Sequence, residues 1–400
     1  MLTVDLIESS PGHMTLSLGP QHPSTHGVLQ LVTELEGETI TRIEPEIGYL
    51  HTGIEKSAEN LFWTQAATVL ERMDYLSPIG NALCYFLAVE KLLGIDDAIP
   101  ERARNLRILF CELDRIASHL VWLGTCGLEI GAMSVFFYAF DLRENILDLI
   151  EATGGARMHA NYLRVGGVRD DLPDGFTEKL DAFCSMYYER MRDLRRLIEK
   201  NPILQDRMVD VGILTAAEAL AFGVTGAGLR ATGVPYDVRK AFPYTGYELY
   251  DFDVPTRTEG DSYARLLVRL EEMDQAMRIV KQVQVQLENA GPVLIDDPKY
   301  AAPPKETLGL SMEAVIHHFK LVSESYRVPP GDVYQSIESP RGEMGFYLVS
   351  NGDNRPWRVR QRPPSLYNLQ VLKHLAVGEM IADLIVVLGS FDPVFGEVDR

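Results

Sequence analysis

Residues 101–124 read ERARNLRILFCELDRIASHLVWLG, and their periodicity decides what kind of fold the chain adopts. Apolar side chains recur at 106, 109, 110, 113, 116, 117, 120 and 121. That three-and-four spacing lays one wide apolar stripe along an α-helix. Pro100 stands at the start, where its missing N–H costs nothing. So wide a stripe needs other helices to cover it, and the downstream sequence supplies them. VFFYAFDLRENILDLIEATGG (135–155) is helical up to a Gly-Gly stop, and FTEKLDAFCSMYYERMRDLRRLIEKNP (176–202) up to Asn-Pro. DSYARLLVRLEEMDQAMRIVKQVQVQLENAGP (261–292) is framed by an Asp-Ser start and a Gly-Pro end. Four long helices joined by loops predict a bundle.

Outside that core the pattern changes. HMTLSLG (13–19) and VLQLVTELEGETITRIEPEIG (28–48) alternate like strands around Gly turns. From Ala301 onward come Pro-rich loops, a short helix in SMEAVIHHFK (311–320), and strand-like GEMGFYLVSNG (342–352) and RPWRVRQRPP (355–364). The expected fold class is therefore α+β, with an N-terminal β region (1–60), a helical bundle core (61–300) and a C-terminal α+β lobe (301–400). The segment 223–255, rich in Gly, Tyr and Pro, is expected to form a surface-binding loop region.

Composition excludes several classes. With 400 residues, 46% hydrophobic and 24% charged, the chain can bury a large core and is not disordered. Its 38 basic against 57 acidic residues give a net charge of −19, which repels nucleic acid and anionic membrane surfaces. No apolar run is long enough to span a bilayer. MLTVDLIESSPGHM lacks the basic flank and apolar stretch of a secretion signal, so a cytosolic location is the default expectation. Cys84, Cys111, Cys126 and Cys184 are far apart and read as buried reduced thiols.

The familiar cofactor motifs do not occur. His22 and His26 are four apart in GPQHPSTHGV (19–28), but Pro23 and the glycines make this a loop, with no cysteine pair or H-E-x-x-H nearby. His317 and His318 are adjacent on a helix and point apart. No metal site is expected. GVTGAGLRATG lacks both the phosphate-loop lysine and the dinucleotide fingerprint, and no G-x-S-x-G is present. What stands out is six stretches that join titratable residues to Gly or Pro. They are GPQHPSTHGV, GYLHTGIEK, ERMDYLSP, GARMHANYLRVGG, ESPRGEMG and FDPVFGEVDR.

Those stretches, with GAMSVFFYAF, LRATGVPYDVRKAFPY, SMEAVIHHFK and RPPSLYNLQ, closely resemble the D subunit of the proton-pumping NADH:quinone oxidoreductase, respiratory complex I, from Gly19 to Arg400. That family is itself similar to the large subunit of nickel–iron hydrogenases, which implies a hydrogenase-like fold. Where the hydrogenases carry two cysteine pairs, this chain has Asp74 and Ser77 in one place and Val394 and Glu397 in the other. A nickel–iron centre needs thiolates, so the metal site is dismantled.

The resemblance implies a cavity that receives a quinone headgroup, with His26 and Tyr75 contacting it. Reduction to quinol takes two electrons and two protons, and an imidazole N–H and a phenol O–H suit the two carbonyl oxygens. Glu129, in LEIGAM, falls where the family has the carboxylate that partners this histidine; it is one methylene longer than the family's residue. Arg72 and His159 match residues near the terminal iron–sulfur cluster of a neighbouring subunit, and Thr52 replaces an arginine common among relatives. No cofactor is bound by this chain itself. The implied partners are other complex I subunits: the cluster-bearing B subunit, the C and I subunits, and the membrane channel H subunit. The implied place is the cytoplasmic side of the membrane, as a peripheral part of a membrane complex. Two alternatives stay open: the equivalent subunit of a ferredoxin-fed quinone reductase, and a non-catalytic hydrogenase-like scaffold.

Overall fold

A computed structural model describes residues 4–10 and 12–400, with side chains from residue 12 onward. The longer helices are α1 (Trp63–Leu70), α2 (Pro78–Leu93), α3 (Glu101–Glu129), α4 (Met133–Gly154), α5 (Phe176–Ile198), α6 (Ser262–Gln286), α7 (Met312–Ser323), α8 (Ile381–Ser390) and the short C-terminal α9 (Phe395–Asp399). All sheets are antiparallel. Strands β1 (Val4–Ser10), β2 (His13–Leu18), β3 (Gln30–Glu36) and β4 (Thr39–Glu46) form one in sequence order, and β5 (Gly331–Ser339), β6 (Gly342–Ser350) and β7 (Arg358–Arg362) another. The protein is α+β, as its sequence pattern predicts.

The helix read from residues 101–124 forms and runs on to Glu129. It buries Leu106, Leu109, Phe110, Leu113, Ile116, Ala117 and Leu120 against α4, α6 and α8. Gly155 ends α4 in the left-handed region at φ 74°, and Asp261 caps α6 by accepting the Ala264 N–H at 2.7 Å. One core helix has no counterpart among the predicted four. In α2, 12 of its 16 residues are buried. A helix covered on every side carries no apolar-polar period, so its sequence, NALCYFLAVEKLL, shows hydrophobicity without a face. It lies between α3 and the β5–β6 hairpin, and one hydrophobic core runs from Leu18 to Val398. No helix among the described residues is long and apolar enough to cross a membrane.

The segment 223–255 departs from the surface expectation and carries two fully buried arginines into the interior. Arg230 pairs with Glu272 at 2.6 Å and Glu338 at 2.7 Å. Arg239 pairs with Glu112 at 3.0 Å and Asp237 at 2.7 Å, and Tyr247 donates to Glu112 at 2.7 Å. Each guanidinium presents a fork of donors that neutralises carboxylates of α3, α6 and β5, so irregular backbone is held inside by charge pairing.

Candidate functional site

The turn between α1 and α2 is built by Asp74, whose Oδ1 accepts the backbone N–H groups of Leu76 and Ser77, each at 3.1 Å. Ser77 donates to Asp114 Oδ2 of α3 at 2.9 Å, and Asp114 also accepts backbone N–H groups of Ile79 and Gly80. These contacts leave Tyr75 half-buried at the apex. Helix α9 lies directly on this turn: a Cβ on Gly396 would stand 2.4 Å from the Met73 carbonyl oxygen. Its far end is tied to GYLHTGIEK, with Asp399 accepting Gly48 N–H at 2.9 Å and Leu50 N–H at 2.7 Å. His51 Nδ1 lies 2.7 Å from the Asp399 carbonyl.

Arg341, at the tip of the β5–β6 hairpin, fills the centre. Its side chain is fully buried, donating to Asp74 Oδ2 at 3.0 Å and Ser118 Oγ at 2.7 Å, with Asp392 Oδ2 3.3 Å away. Around it several carboxyls are raised above their usual range. Burial, with the Asp74 charge adding, pushes Glu397 up to about 8; its Oε1 accepts Ser365 N–H at 3.0 Å and its Oε2 has no partner. Burial pushes Asp114 up to about 7 against the Ser77 hydrogen bond, and pushes Asp392 up against the Arg341 charge.

His26 ends a short 3-10 turn, Pro23–Thr25, in the left-handed conformation at φ 54°. His22 shapes that turn by accepting the Ser24 N–H at 3.2 Å, and Thr25 donates to the Pro20 and His22 carbonyls. The His26 ring stands 5.5 Å from the Phe395 ring of α9. His26 is itself exposed to solvent, yet the surrounding protein and then the Arg341 charge hold its imidazole below the usual value. Burial and the Asp74 charge raise the Tyr75 phenol, which also feels Arg341, Asp392 and Glu397. His26, against α9, and Tyr75, on the turn that α9 covers, thus both feel the charge of Arg341.

Tyr75 also lines a narrow crevice with Asp114, Arg143, Met158 and His159. His159, at φ 53°, is half-buried with its Nδ1 unpartnered, and burial followed by the Arg72 charge lowers its imidazole. Arg72 is exposed, donates to the Thr68 carbonyl and pairs with Glu71 at 3.6 Å. Burial takes Glu71 to about 7 against that pairing. Glu129 is the last residue of α3. No hydrogen bond joins it to His26; its Oε2 lies 2.1 Å from where a Gly389 Cβ would stand, and burial and then Asp392 push its carboxyl up to about 8.

All six stretches that join titratable residues to Gly or Pro therefore converge on α9 and the Arg72–Ser77 turn. Arg341, Asp114 and Asp392 are not among the site residues that the motifs single out. The first and last lie inside two of those stretches, and Asp114 stands amid the apolar stripe of α3. Of the four positions, Asp74 pairs with the Arg341 guanidinium, Ser77 donates to Asp114, Glu397 accepts the Ser365 N–H, and Val394 is buried. Among the described residues no group of three or more His, Cys, Asp or Glu side chains is arranged to hold a metal. The four cysteines are free and buried.

A family described as "Respiratory-chain NADH dehydrogenase, 49 Kd subunit" matches residues 129–400. The chain is 52% identical over 396 residues to the NADH-quinone oxidoreductase D 1 subunit of Symbiobacterium thermophilum, covering 99% of this chain and 98% of that one. It is 52% identical over 389 residues to the D 2 subunit of Chloroflexus aurantiacus, covering 97% and 94%. With the D subunit of Frankia alni the identity is 52% over 409 residues, covering 98% and 87%.

Proposed function

Because the chain belongs to the respiratory-chain NADH dehydrogenase 49 Kd subunit family, the D subunits of NADH-quinone oxidoreductase, we propose that the space beside Arg341, between His26 and Tyr75, receives the quinone headgroup. The observation that carries this reading is that His26 packs on Phe395 of α9, whose Gly396 lies against the turn that carries Tyr75. A quinone carbonyl gains negative charge as electrons arrive. Preorganised donors in a water-poor site stabilise that charge without reorganising. Tyr75, its phenol raised, stays an O–H donor; His26, lowered, rests as a neutral imidazole with one N–H to give. Glu397, Asp114 and Glu129 carry protons near neutral pH and replenish the two donors.

Electrons come from the terminal iron–sulfur cluster of the neighbouring B subunit, which sits against the Arg72 and His159 side. Proton pumping follows in the assembled complex, with the C, I and H subunits as further neighbours, on the cytoplasmic face of the membrane. The meeting of the turn that carries Asp74 and Ser77 with the segment that carries Val394 and Glu397 supports a hydrogenase-like ancestry. The test is made in assembled complex. Tyr75→Phe and His26→Ala should each lower NADH:quinone reduction by about 10²-fold, while electron transfer from NADH to an artificial acceptor upstream persists. Full quinone turnover in correctly assembled variants would leave this chain a scaffold.

A further inference from the structure

Helix α7 is amphipathic but presents its apolar face to solvent. Ser311 caps it, accepting the Ala314 N–H at 3.3 Å, and the helix runs 12 residues without burying one of them. Only Ala314 and Leu321 of the helix turn toward the body of the protein. At ~3.6 residues per turn, Met312, Val315, Ile316, Phe319 and Val322 fall within an arc of about 120° on the opposite side. Met312 is 75% exposed, Phe319 66% and Val322 63%, and Leu310 just before the helix is 88% exposed. A helix this short is marginal in water unless its apolar face is covered.

We infer that the outward face of α7 docks into an apolar groove on another subunit of the oxidoreductase complex. This rests on the chain's working as one subunit of an assembly, and not on which residues meet the quinone. Two observations select that occupant. At their exposures the five side chains and Leu310 offer roughly 700 Å², still short of the ~800 Å² per partner of a free-standing interface. That suits one anchor within a larger contact better than a homodimer. The polar side of the helix carries Glu313 against Lys320, without the cationic face of a membrane-surface helix, on a chain of net charge −19. An i, i+3, i+4, i+7 row of anchors is the pattern a helix-binding groove reads.

A photo-crosslinking amino acid at Ile316 or Phe319, in purified assembled complex, tests the contact directly. Adducts to a different subunit of the same complex, absent when the probe is moved to His317, are expected. Adducts to lipid alone, adducts to a second copy of this chain, or no adduct in fully assembled complex would each overturn the proposal. The double variant Ile316→Asp with Phe319→Asp changes no packing within the chain. It should leave the melting temperature of the isolated full chain unchanged while cutting its share in the complex about tenfold or more; normal incorporation would sink the idea. A failed Tyr75→Phe test would bear on the quinone pocket alone and leave this readout untouched.

Discussion

Arg341 keeps its charge at any ordinary pH, and it sits where water does not reach, between Asp74 and Asp392. Removing one member of a buried pair is far worse than never having built it, because the partners remain charged and unsolvated. Arg341→Met should therefore destabilise the isolated chain by about 3–5 kcal/mol in denaturant unfolding. Combining it with Asp74→Asn and Asp392→Asn should restore much of that loss. A single variant as stable as the parent would mean the guanidinium holds nothing together. His26, Tyr75, Arg72, His159 and Glu129 became candidates through motif resemblance. Arg341 was not, since one arginine beside a turn reads like any other until its burial is known.

Helix α9 and the Arg72–Ser77 turn meet so closely that one hydrogen on Gly396 separates backbone from backbone. A methyl group there collides with the Met73 carbonyl, which cannot rotate away as a flexible side chain would. Gly396→Ala should cost about 1–3 kcal/mol and displace Phe395 from the His26 ring, lowering quinone reduction along with stability. Unchanged unfolding and turnover would show that the two elements are not tightly seated. The amphipathic helices at this scale were legible because each keeps one face toward solvent. Helix α2 was not, and the arginines of 223–255 could not be assigned to the interior, because only distant carboxylates make that interior tolerable.

Across the whole molecule, charge sets the pH dependence of stability. Glu71 and Asp114 are pushed to about 7, and Glu129 and Glu397 to about 8. Each binds its proton more tightly in the folded chain than unfolded, where carboxyls titrate near ~4. The folded state is thus favoured at low pH and loses stability as pH rises from about 4 through those folded values. His119, buried beside Glu272 at 3.2 Å and lowered to about 4, acts oppositely, withdrawing stability as pH falls below about 6.5. The net charge of −19 adds self-repulsion at the alkaline end. The isolated chain should melt highest near about pH 5–6 and lower at pH 8, and Asp114→Asn should flatten that decline. A melting temperature that rises between those values would contradict the balance.

Sequence by itself determined what depends on near neighbours: the amphipathic helices with their caps, the strands around their glycine turns, and the motifs that carry family membership. Tertiary structure alone decided which charges are buried and what they face. Arg341 and Asp74 lie 267 residues apart and Glu112 and Arg239 lie 127 apart. The energy of a buried charge depends on the group a few ångströms away, wherever along the chain that group began.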